Sequence, residues 1–330
     1  MKKGKLGVAL VGLGKYSEEQ LSPALEKTKY CYLAGIVTGS PQKAEQWKKK
    51  YGLGANVYDY NNFDSIKDNP EIDIIYIVLP NSMHEEFVVR AAKAGKHVIC
   101  EKPMAVSVAE CDRMIEACKT AGVQLAIGYR LHFEPHNKEA MRLGQQKVFG
   151  ELKHIKAAFG MAEVEGWRLD KELAGGGPLM DVGIYCVQAA RYTSGLEPVA
   201  VTAMEGKSRD PDKFKTVEPS ITWRMEFQGD LVAECECSYT VDMDLFHVDA
   251  QQGWFELSPA FEYDGLKGKT SNGPMDFGDV TEQAEHMDAI AKSILEKKDV
   301  PVPGEMGKQD VKILMAIYEA ARSGKRIEIN

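Results

Sequence analysis

The chain has 330 residues, of which 44% are hydrophobic and 27% are charged, and its formal net charge is −8. This length exceeds one typical folding unit of about 100 to 200 residues, so we expect two domains. The composition is that of an ordinary soluble globular protein, and the negative charge argues against nucleic acid or an anionic membrane as a main partner.

The N-terminus and the cysteines indicate the compartment. A basic start precedes the apolar run Leu6–Gly14, but the run is short and no small-residue cleavage site follows it. No later apolar segment reaches the roughly 18 residues needed to cross a bilayer. The seven cysteines lack the spacing of a disulfide framework, and Cys235 and Cys237 alternate with glutamates as one face of a strand would. We predict a cytoplasmic protein without a metal site.

The first predicted strand leads into a glycine turn. Leu6–Leu13 is apolar and runs into Gly12-Leu-Gly-Lys-Tyr-Ser17, the dinucleotide fingerprint with serine in the place of its third glycine. Gly12 permits the tight turn, and Gly14 lets the backbone approach a pyrophosphate at the start of the next helix. Ser17 either packs closely or caps that helix. Taken alone, the motif is weak evidence.

A second predicted strand, Tyr32–Val37, follows at the spacing of a βαβ unit. The loop after it contains hydroxyls, an amide and a cation, but no carboxylate: Thr38, Gly39, Ser40, Pro41, Gln42 and Lys43. An acid in this place binds the ribose of NAD, whereas hydroxyls and a cation suit the 2′-phosphate of NADP. We predict NADP, with NAD less favoured. The alternative is an ordinary loop before a helix Gln42–Tyr51, with Lys43 solvated.

Two further predicted strands end in polar residues. Ile72–Leu79 is followed by Asn81 or Ser82, either of which can cap a helix Glu85–Ala94. The run Val98 to Cys100 ends in Glu101-Lys102-Pro103, and proline restricts the lysine to extended or turn geometry and permits a cis bond. Open α/β sheets bind ligands beyond the carboxyl ends of their strands, so Lys102 is predicted to face a cleft. The alternative is a surface Lys-Pro turn.

The pattern changes near residue 128. A helix Val108–Ala121 and a strand Gln124–Gly128 complete the alternation of strands and helices, which predicts an N-terminal Rossmann domain, a doubly wound parallel sheet, in residues 1–128. A connecting helix is predicted within Tyr129–Lys147, after a turn at Pro135. The strands predicted beyond it are Glu151–Glu165, Val199–Gly206, Ser220–Gln228, Leu231–Thr240, Leu245–Ala250 and Gly253–Leu257. Residues 129–330 are therefore predicted to form a second domain of the α+β class, with a large, mainly antiparallel open sheet.

The open sheet leaves one face to be covered. A second copy of the chain is one solution, and we expect a homo-oligomer, with solvent and polar residues as the alternative.

A glycine turn precedes a short predicted helix in this domain. Gly175 to Gly177 let the backbone pass close to a ligand, and Pro178 suits a first helical turn. Asp181 and Tyr185 are four residues apart and share a face, while the packed side is formed by Leu179, Val182 and Cys186. The carboxylate and the phenol form either a catalytic pair or a surface hydrogen bond.

Several motifs together resemble a known family. They are the Gly-x-Gly turn, Tyr58–Phe63, Leu79–Ser82, Gly95–Val98, Glu101–Met104, Gly128–Arg130, Trp167–Leu169, Glu172–Tyr185 and Pro303–Arg322. As a set they are similar to the glucose-fructose oxidoreductase family of sugar oxidoreductases, Gfo/Idh/MocA, over nearly the whole chain. The resemblance implies a Rossmann domain and, in residues 129–330, a sheet domain that binds the substrate and often forms the oligomer interface, here of a homodimer or homotetramer. It also implies that the last helix, about 306–323, packs back on the Rossmann domain.

The resemblance implies the residues of the site as well. Lys102, Asp181 and Tyr185 would be catalytic, and tyrosine at position 185, where many relatives have histidine, points to the glucose-fructose and aldose-aldose oxidoreductase branch. The implied substrate contacts are Lys102, Tyr129, Arg168, Asp181 and Tyr185. The implied cofactor contacts are Gly12, Leu13, Gly14, Lys15, Tyr16, Thr38, Gly39, Ser40, Lys43, Tyr60, Leu79, Pro80, Asn81, His84, Glu101, Lys102, Arg130, Trp167 and Arg168.

The resemblance also implies that NADP is tightly bound. With that cofactor, these residues predict hydride transfer between a sugar carbon and the nicotinamide, with Tyr185 moving the hydroxyl proton. A unit cation about 4 Å from a phenolate supplies on the order of 4 kcal/mol at an effective dielectric constant near 20, which gives Lys102 its role. Asp181 would orient the sugar or the lysine. Two alternatives stay open: a sugar dehydrogenase that releases its cofactor each cycle, and a sensor of cofactor or sugar without turnover.

Overall fold

The computed structural model describes residues 4–329 and divides into two compact units. The first unit comprises Met1–Phe133 with Thr281–Lys308, and the second comprises Glu134–Val280 with Gln309–Asn330. The sequence predicts a division after residue 128, with the last helix, about 306–323, packing back on the first domain, and that packing stays a prediction. In the structure the chain passes from the first unit to the second after Phe133, and Thr281–Lys308 belongs to the first unit again.

The first unit contains a parallel sheet. Within the described residues its strands are β1 (Leu6–Val11), β2 (Cys31–Val37), β3 (Val57–Tyr58), β4 (Ile74–Ile77), β5 (His97–Cys100) and β6 (Leu125–Ile127). Their order is β3-β2-β1-β4-β5-β6, and every neighbouring pair is parallel. The central strands are continuous apolar runs because helices cover both faces of such a sheet. The predicted doubly wound sheet is confirmed, and β3 is an addition to it.

The helices that connect these strands are α1 (Ser22–Lys27), α2 (Pro41–Tyr51), α3 (His84–Lys93) and α4 (Val108–Ala121). Serine side chains cap two of them: Ser40 accepts from the amide of Lys43, and Ser107 accepts from that of Glu110, each at 3.3 Å. Before α3 lies a 3₁₀ turn, Asn81–Met83, and the N-cap is Met83, without a side-chain bond. The predicted cap by Asn81 or Ser82 is therefore wrong, because the 3₁₀ turn takes up both residues.

The second unit contains a larger mixed sheet. In the part of the chain that the structure describes, its strands are β7 (Leu152–Gly160), β8 (Ala200–Glu205), β9 (Ser220–Glu226), β10 (Val232–Ser238), β11 (Met243–Ala250), β12 (Gly253–Leu257), β13 (Gly268–Thr270), β14 (Gly273–Met275) and β15 (Ile327–Glu328). The order is β14-β13-β12-β11-β7-β10-β9-β8-β15, and β7 and β10 are the parallel pair in an otherwise antiparallel sheet. This confirms the predicted sheet class. Cys235 and Cys237 are buried on one face of β10, while Glu234 and Glu236 are exposed on the other.

Helices cover the inner face of this sheet. They are α5 (Pro135–Gln145) and α7 (Ile184–Ser194), and a π-helical turn, Leu179–Gly183, packs on the same sheet and runs directly into α7. The short helix α6 (Lys171–Ala174) precedes this turn. A Cβ at Gly144 of α5 would lie 2.1 Å from the carbonyl oxygen of Thr193, so only glycine allows the two helices to approach this closely. The predicted helix after Pro178 is present and begins with the π turn.

Two further helices lie between β14 and β15, α8 (Glu282–Leu295) and α9 (Gly304–Ser323). In the first unit, the carboxylate of Asp288 on α8 accepts hydrogen bonds from the amides of Lys29 and Tyr30 at 2.8–2.9 Å, which ties α8 to the turn before β2. In the second unit, Asp310 on α9 is completely buried and pairs with Arg191 of α7. A buried acid without such a partner would be strongly destabilising.

Candidate active site

The first group of predicted site residues lies at the carboxyl ends of the parallel strands. The turn Gly12–Tyr16 follows β1, Thr38–Lys43 follows β2, and Tyr60 follows β3. Leu79–Asn81 follows β4, Glu101 and Lys102 follow β5, and Tyr129 and Arg130 follow β6. Since β1 lies between β2 and β4, the connections leave β1 in opposite directions, and ligands of doubly wound sheets bind at this switch point.

The turn after β1 has the shape of a phosphate-binding turn. Gly12 has φ +92°, and a Cβ there would lie 2.4 Å from the carbonyl oxygen of Val78, so glycine is required. The hydroxyl of Ser17 is buried and donates to the carbonyl of Gly12 at 2.7 Å. A Cβ at Gly14 would meet no atom within 4 Å. Ser17 thus closes the turn from inside, and the open space at Gly14 fits a cofactor pyrophosphate.

The loop after β2 lies beside this turn. Lys43 reaches from α2 and its ammonium donates to the carbonyl of Leu13 at 2.6 Å. The hydroxyl of Thr38 accepts from the amide of Ser40 at 3.2 Å, and the ring of Tyr60 lies 3.0 Å from a Cβ built on Gly39. This region thus contains hydroxyls, a cation and an aromatic ring, and residues 38–43 include no carboxylate. This donor set fits the adenosine 2′-phosphate of NADP.

Glu101 holds the end of β5 from within. Its carboxylate accepts from the hydroxyl of Tyr76 at 2.7 Å and from the amide of Lys102 at 3.2 Å, and it lies so close to Gly128 that a Cβ there would be 2.6 Å away. Burial raises the pKa of Glu101, although the bond from Tyr76 lowers it. The Lys102–Pro103 bond is cis, as the sequence allows. Glu101 therefore positions the turn that carries Lys102.

His84 is placed differently from the other implied cofactor contacts. Its ring is completely buried, with Nε2 2.9 Å from the carbonyl oxygen of Leu79 and Nδ1 3.0 Å from that of Pro103. Burial lowers its pKa. Because both nitrogens face backbone oxygens, His84 joins the loops that follow β4 and β5, and its implied contact with the cofactor stays a prediction beside this structural role.

Arg130 and Tyr129 are also buried. The guanidinium of Arg130 forms an ion pair with Glu282 at the start of α8, and both side chains are less than 5% exposed. Tyr129 is 2% exposed, and its ring centroid lies 5.9 Å from that of His132. The ion pair anchors α8 to the segment after β6, so the implied role of Arg130 towards the cofactor stays a prediction beside this structural one.

In the second unit, Asp181 is held by two donors. Arg168 donates to its Oδ2 at 2.8 Å, and the hydroxyl of Tyr239 donates to the same oxygen at 3.0 Å. The guanidinium of Arg168 also lies 4.8 Å from the ring centre of Trp167. The charge of Asp181 raises the pKa of Arg168. A carboxylate oriented in this way is a ready acceptor for hydroxyl groups.

Tyr185 lies on the same helix in an aromatic setting. Its ring is 9% exposed, 5.4 Å from Phe159 edge-to-face and 6.0 Å from Phe261. The predicted packed side of the helix is confirmed: Leu179, Val182 and Cys186 are all at most 2% exposed. Aromatic neighbours fix the orientation of the phenol through packing, because edge-to-face ring pairs have a preferred geometry.

The glycine turn before this helix has a different explanation from the predicted one. Gly175 has φ +78° as the C-cap of α6, which favours glycine. A Cβ at Gly176 would lie 2.0 Å from the hydroxyl of Tyr318, and one at Gly177 would lie 2.6 Å from the carbonyl oxygen of Glu218. The last two glycines are therefore required by neighbouring protein atoms, whereas the sequence suggested close approach of a ligand.

Four residues of this neighbourhood are absent from the sequence-based prediction: Phe159, Glu218, Tyr239 and Phe261. The alternation of β7 and β10 indicates that Phe159 and Tyr239 are buried, but not that they approach Asp181 or Tyr185. Among residues 4–329, the structure contains no cluster of three histidine, cysteine or acidic side chains that could hold a metal ion. The helices in that range include none that is long and apolar enough to span a bilayer.

Comparison with known families matches both parts of the chain. Residues 6–129 match a model described as an oxidoreductase family with an NAD-binding Rossmann fold, and residues 137–256 match the GFO/IDH/MocA C-terminal domain. These two matches agree with the parallel sheet of the first unit and the mixed sheet of the second.

Comparison with individual proteins gives the same assignment. The chain is 27% identical to D-xylose 1-dehydrogenase [NADP(+)] of Haloarcula marismortui, over 98% of this chain and 92% of the relative. It is 25% identical to D-glucoside 3-dehydrogenase of Escherichia coli, over 100% and 99%. A crystal structure of aldose-aldose oxidoreductase from Caulobacter crescentus with glycerol is 39% identical, with a TM-score of 0.95 over 98% of this chain and 99% of that one.

Proposed function

Because this chain belongs to the Gfo/Idh/MocA oxidoreductase family, we propose that it is an NADP-dependent sugar oxidoreductase, which moves a hydride between a sugar carbon and the cofactor. The observation that carries the proposal is the edge of the first sheet, where the turn at Gly14, the hydroxyl-rich loop after β2 and Lys102 all lie. The relatives above are named for xylose, a glucoside and aldoses, which supports a sugar as the substrate.

The first unit would hold the cofactor. The turn Gly12–Tyr16 would receive the pyrophosphate on its free amides, and Thr38, Ser40 and Lys43 would receive the 2′-phosphate. When bound, NADP supplies the acceptor or donor of the two-electron hydride. The dependence on NADP in the name of the Haloarcula relative supports this choice over NAD.

Three side chains would carry the proton and orient the sugar. Tyr185 takes the proton of the reacting hydroxyl when the sugar is oxidised and returns it when a carbonyl is reduced. Lys102 stabilises the phenolate by its positive charge. Asp181, held by its own donors, orients sugar hydroxyls. Tyr129 and Arg168 are the further substrate contacts that we propose.

The fate of the cofactor separates two forms of this function. In an aldose-ketose or aldose-aldose oxidoreductase, NADP stays bound and one sugar is oxidised while another is reduced. In a simple dehydrogenase, NADP leaves after each turnover. Tyrosine at position 185 supports the first form, as does the aldose-aldose oxidoreductase among the relatives. A sensor without turnover is less favoured, because such a protein has no use for a phenol and a lysine that move protons.

The near-ultraviolet absorbance of the purified protein tests the proposal. We expect a band of reduced nicotinamide that disappears on addition of a ketose or an aldose acceptor and returns on addition of a donor aldose. A panel of pentoses and hexoses, with and without phosphate groups, then identifies the substrate. Turnover only with added NADP would favour the simple dehydrogenase. Binding of cofactor without any change on addition of the panel would contradict the oxidoreductase.

The assembly and the compartment belong to the same proposal. We propose a homodimer or homotetramer formed through the outer face of the second sheet, with the partner covering side chains such as Met204, which is 69% exposed. We also place the enzyme in the cytoplasm, because its seven cysteines are all free and buried, as suits a reducing compartment.

A further inference from the structure

A buried acid lies against the start of the helix that carries Asp181 and Tyr185. Glu218 precedes β9, and its side chain is 6% exposed. Its Oε2 accepts from the amide of Gly177 at 3.0 Å, and its Oε1 accepts from the amide of Leu179 at 3.3 Å. The first amides of a helix have no partner within the helix, so Glu218 supplies acceptors for two groups that would otherwise be buried without one.

Tyr318 of α9 holds this acid in place. Its hydroxyl donates to Oε1 of Glu218 at 2.7 Å. The same hydroxyl would be 2.0 Å from a Cβ on Gly176, and the carboxyl carbon of Glu218 would be 2.9 Å from a Cβ on Gly177. The pair therefore lies in contact with the backbone of the glycine turn, and side chains at these two positions would displace it.

The protonation states of Glu218 and Tyr318 suit a role in holding the backbone of the glycine turn. Burial raises the pKa of Glu218, although bonds from Tyr318 and from the turn lower it. Burial and the charge of Glu218 raise the pKa of Tyr318 well above 10, so its hydroxyl stays a donor at neutral pH. An acid in this position is costly to bury, and an uncharged residue of the same size would avoid that cost. Its two carboxylate oxygens are needed to satisfy both amides and the phenol together.

The other end of the π turn is also fixed. A Cβ on Gly183 would lie 2.9 Å from Sγ of Cys237 and 3.2 Å from the ring of Trp223. Asp181 lies between these two contacts, and Tyr185 follows one turn later. Single π turns inside α-helices occur frequently at functional sites. The orientation of Asp181 and Tyr185 thus depends on how the segment is held at Gly177 and Leu179.

We propose that Glu218 and Tyr318 are positioning residues for hydride transfer: they hold the glycine turn and so set the orientation of Asp181 and Tyr185. The inference rests on the proposed function of those two residues and adds the groups that act through them. Loss of the pair should lower turnover much more than it lowers cofactor affinity, because the implied phosphate-binding residues belong to the first unit.

Two conservative variants test this role. Tyr318→Phe keeps the ring and removes only the donor to Glu218, and Glu218→Gln keeps the size but leaves one backbone amide of the turn facing an NH₂ group. We expect kcat to fall at least about tenfold in each, as for misplaced catalytic groups, with an NADP Kd within about twofold of wild type. In the double variant the loss should not exceed that of the worse single variant by more than a small factor, since the two act as a unit.

Tyr192→Phe is the matched control. Tyr192 lies near the far end of α7, and its hydroxyl also donates to a buried carboxylate, that of Asp310 at 3.4 Å. This variant removes a hydroxyl of α7 that bonds to a buried acid of the same unit, at 3.4 Å where Tyr318 bonds to Glu218 at 2.7 Å, and it leaves the glycine turn untouched. We expect kcat close to wild type. Equal losses of kcat in Tyr192→Phe and Tyr318→Phe would overturn the inference, because they would indicate general destabilisation.

Amide hydrogen exchange at Gly177 and Leu179 gives a readout that does not need turnover. Faster exchange in Tyr318→Phe, with no change in Tyr192→Phe, supports the inference even if Glu218→Gln fails to fold. Unchanged exchange and unchanged kcat in Tyr318→Phe would overturn it. If wild-type protein bound NADP but turned over no sugar, the proposed function would fail separately, and the exchange rates would still decide whether the pair holds the turn.

Discussion

Lys43 is the residue on which the choice between the two nicotinamide cofactors depends most directly. It is tied to the turn after β1 by its bond to Leu13, so its charge is fixed beside the predicted 2′-phosphate position. A charge-assisted bond to a phosphate contributes about 1.5 to 3 kcal/mol. We expect Lys43→Ala to weaken NADP binding by roughly 10- to 100-fold and NAD binding by little, as measured by fluorescence titration of both cofactors.

The control for this prediction lies on the same helix. Lys49→Ala removes an exposed lysine of α2 at the end away from the loop. Both cofactors should bind this variant as they bind wild type. An equal loss of NAD and NADP affinity in Lys43→Ala would contradict the assignment of Lys43 to the phosphate and would indicate that the lysine shapes the turn.

Tyr185 is the second residue whose substitution has a predicted effect, here on turnover. Tyr185→Phe keeps the ring contacts with Phe159 and Phe261 and removes the proton carrier. We expect turnover to fall by about 10² to 10⁴, the usual contribution of general acid-base catalysis, while the cofactor still binds. Single-turnover kinetics with the preferred sugar measure the loss. A variant that retained most of its turnover would rule out the phenol as the proton carrier.

The sequence predicts only part of the contacts that Asp181 makes. Its distance of four residues from Tyr185 identifies it as a candidate, and Arg168 is implied by the family motif. Tyr239 shares the same oxygen but lies 58 positions away along the chain. Because that contact forms only when the end of β10 packs over the helix, neither spacing nor composition predicts it.

At the scale of elements, α8 carries a buried histidine that makes stability depend on pH. His286 is 1% exposed, and Nε2 lies 3.0 Å from the carbonyl oxygen of Ile127. Burial lowers the pKa of His286 to about 4. In the unfolded chain histidine titrates near 6.5, so between these values the unfolded state binds the extra proton. The free energy of unfolding should therefore fall as the pH drops from about 6.5 to 4, by roughly 3 kcal/mol from this group.

His286→Gln tests that expectation, because glutamine keeps an N–H donor for Ile127 and does not titrate. Chemical denaturation at a series of pH values should give a shallower decline for the variant than for wild type. Some decline should remain, since burial also lowers the pKa of His84. Parallel curves for wild type and variant would mean that His286 does not carry the effect.

The sequence predicts elements well where local signals mark both ends. The helix Val108–Ala121 is predicted with its observed bounds, because Ser107 caps its start and Gly122 adopts the left-handed conformation at its end. The short strands β13 and β14 are missed, since three residues containing glycine or proline show no apolar alternation. The π turn Leu179–Gly183 is missed as well, because a π turn has the same apolar pattern as the start of an α-helix.

At the scale of the whole molecule, the second sheet has an outer face rich in opposite charges. Lys156 and Arg224 lie on either side of Glu234 in neighbouring strands, and Glu236 follows on the same face. These residues line a groove of about 430 Å³ together with Thr202, Met204 and Thr222. A face that carries both positive and negative charges can pair with the same face of a second copy across a two-fold axis. Each cation then lies against an anion of the other copy.

Arg224→Glu tests the outer face as the contact between copies. Reversing this charge places three carboxylates together at the centre of the face, which should repel the partner and lower the average mass measured by light scattering after gel filtration. Lys49→Glu makes the same change of charge on the exposed side of α2 and should leave the mass unchanged. Circular dichroism of Arg224→Glu should match wild type, because the side chain is exposed to solvent. If wild type is oligomeric and Arg224→Glu has the same mass, the interface lies on another surface. An interface of about 1,200 to 2,000 Å² through this sheet would have to bury the reversed charge.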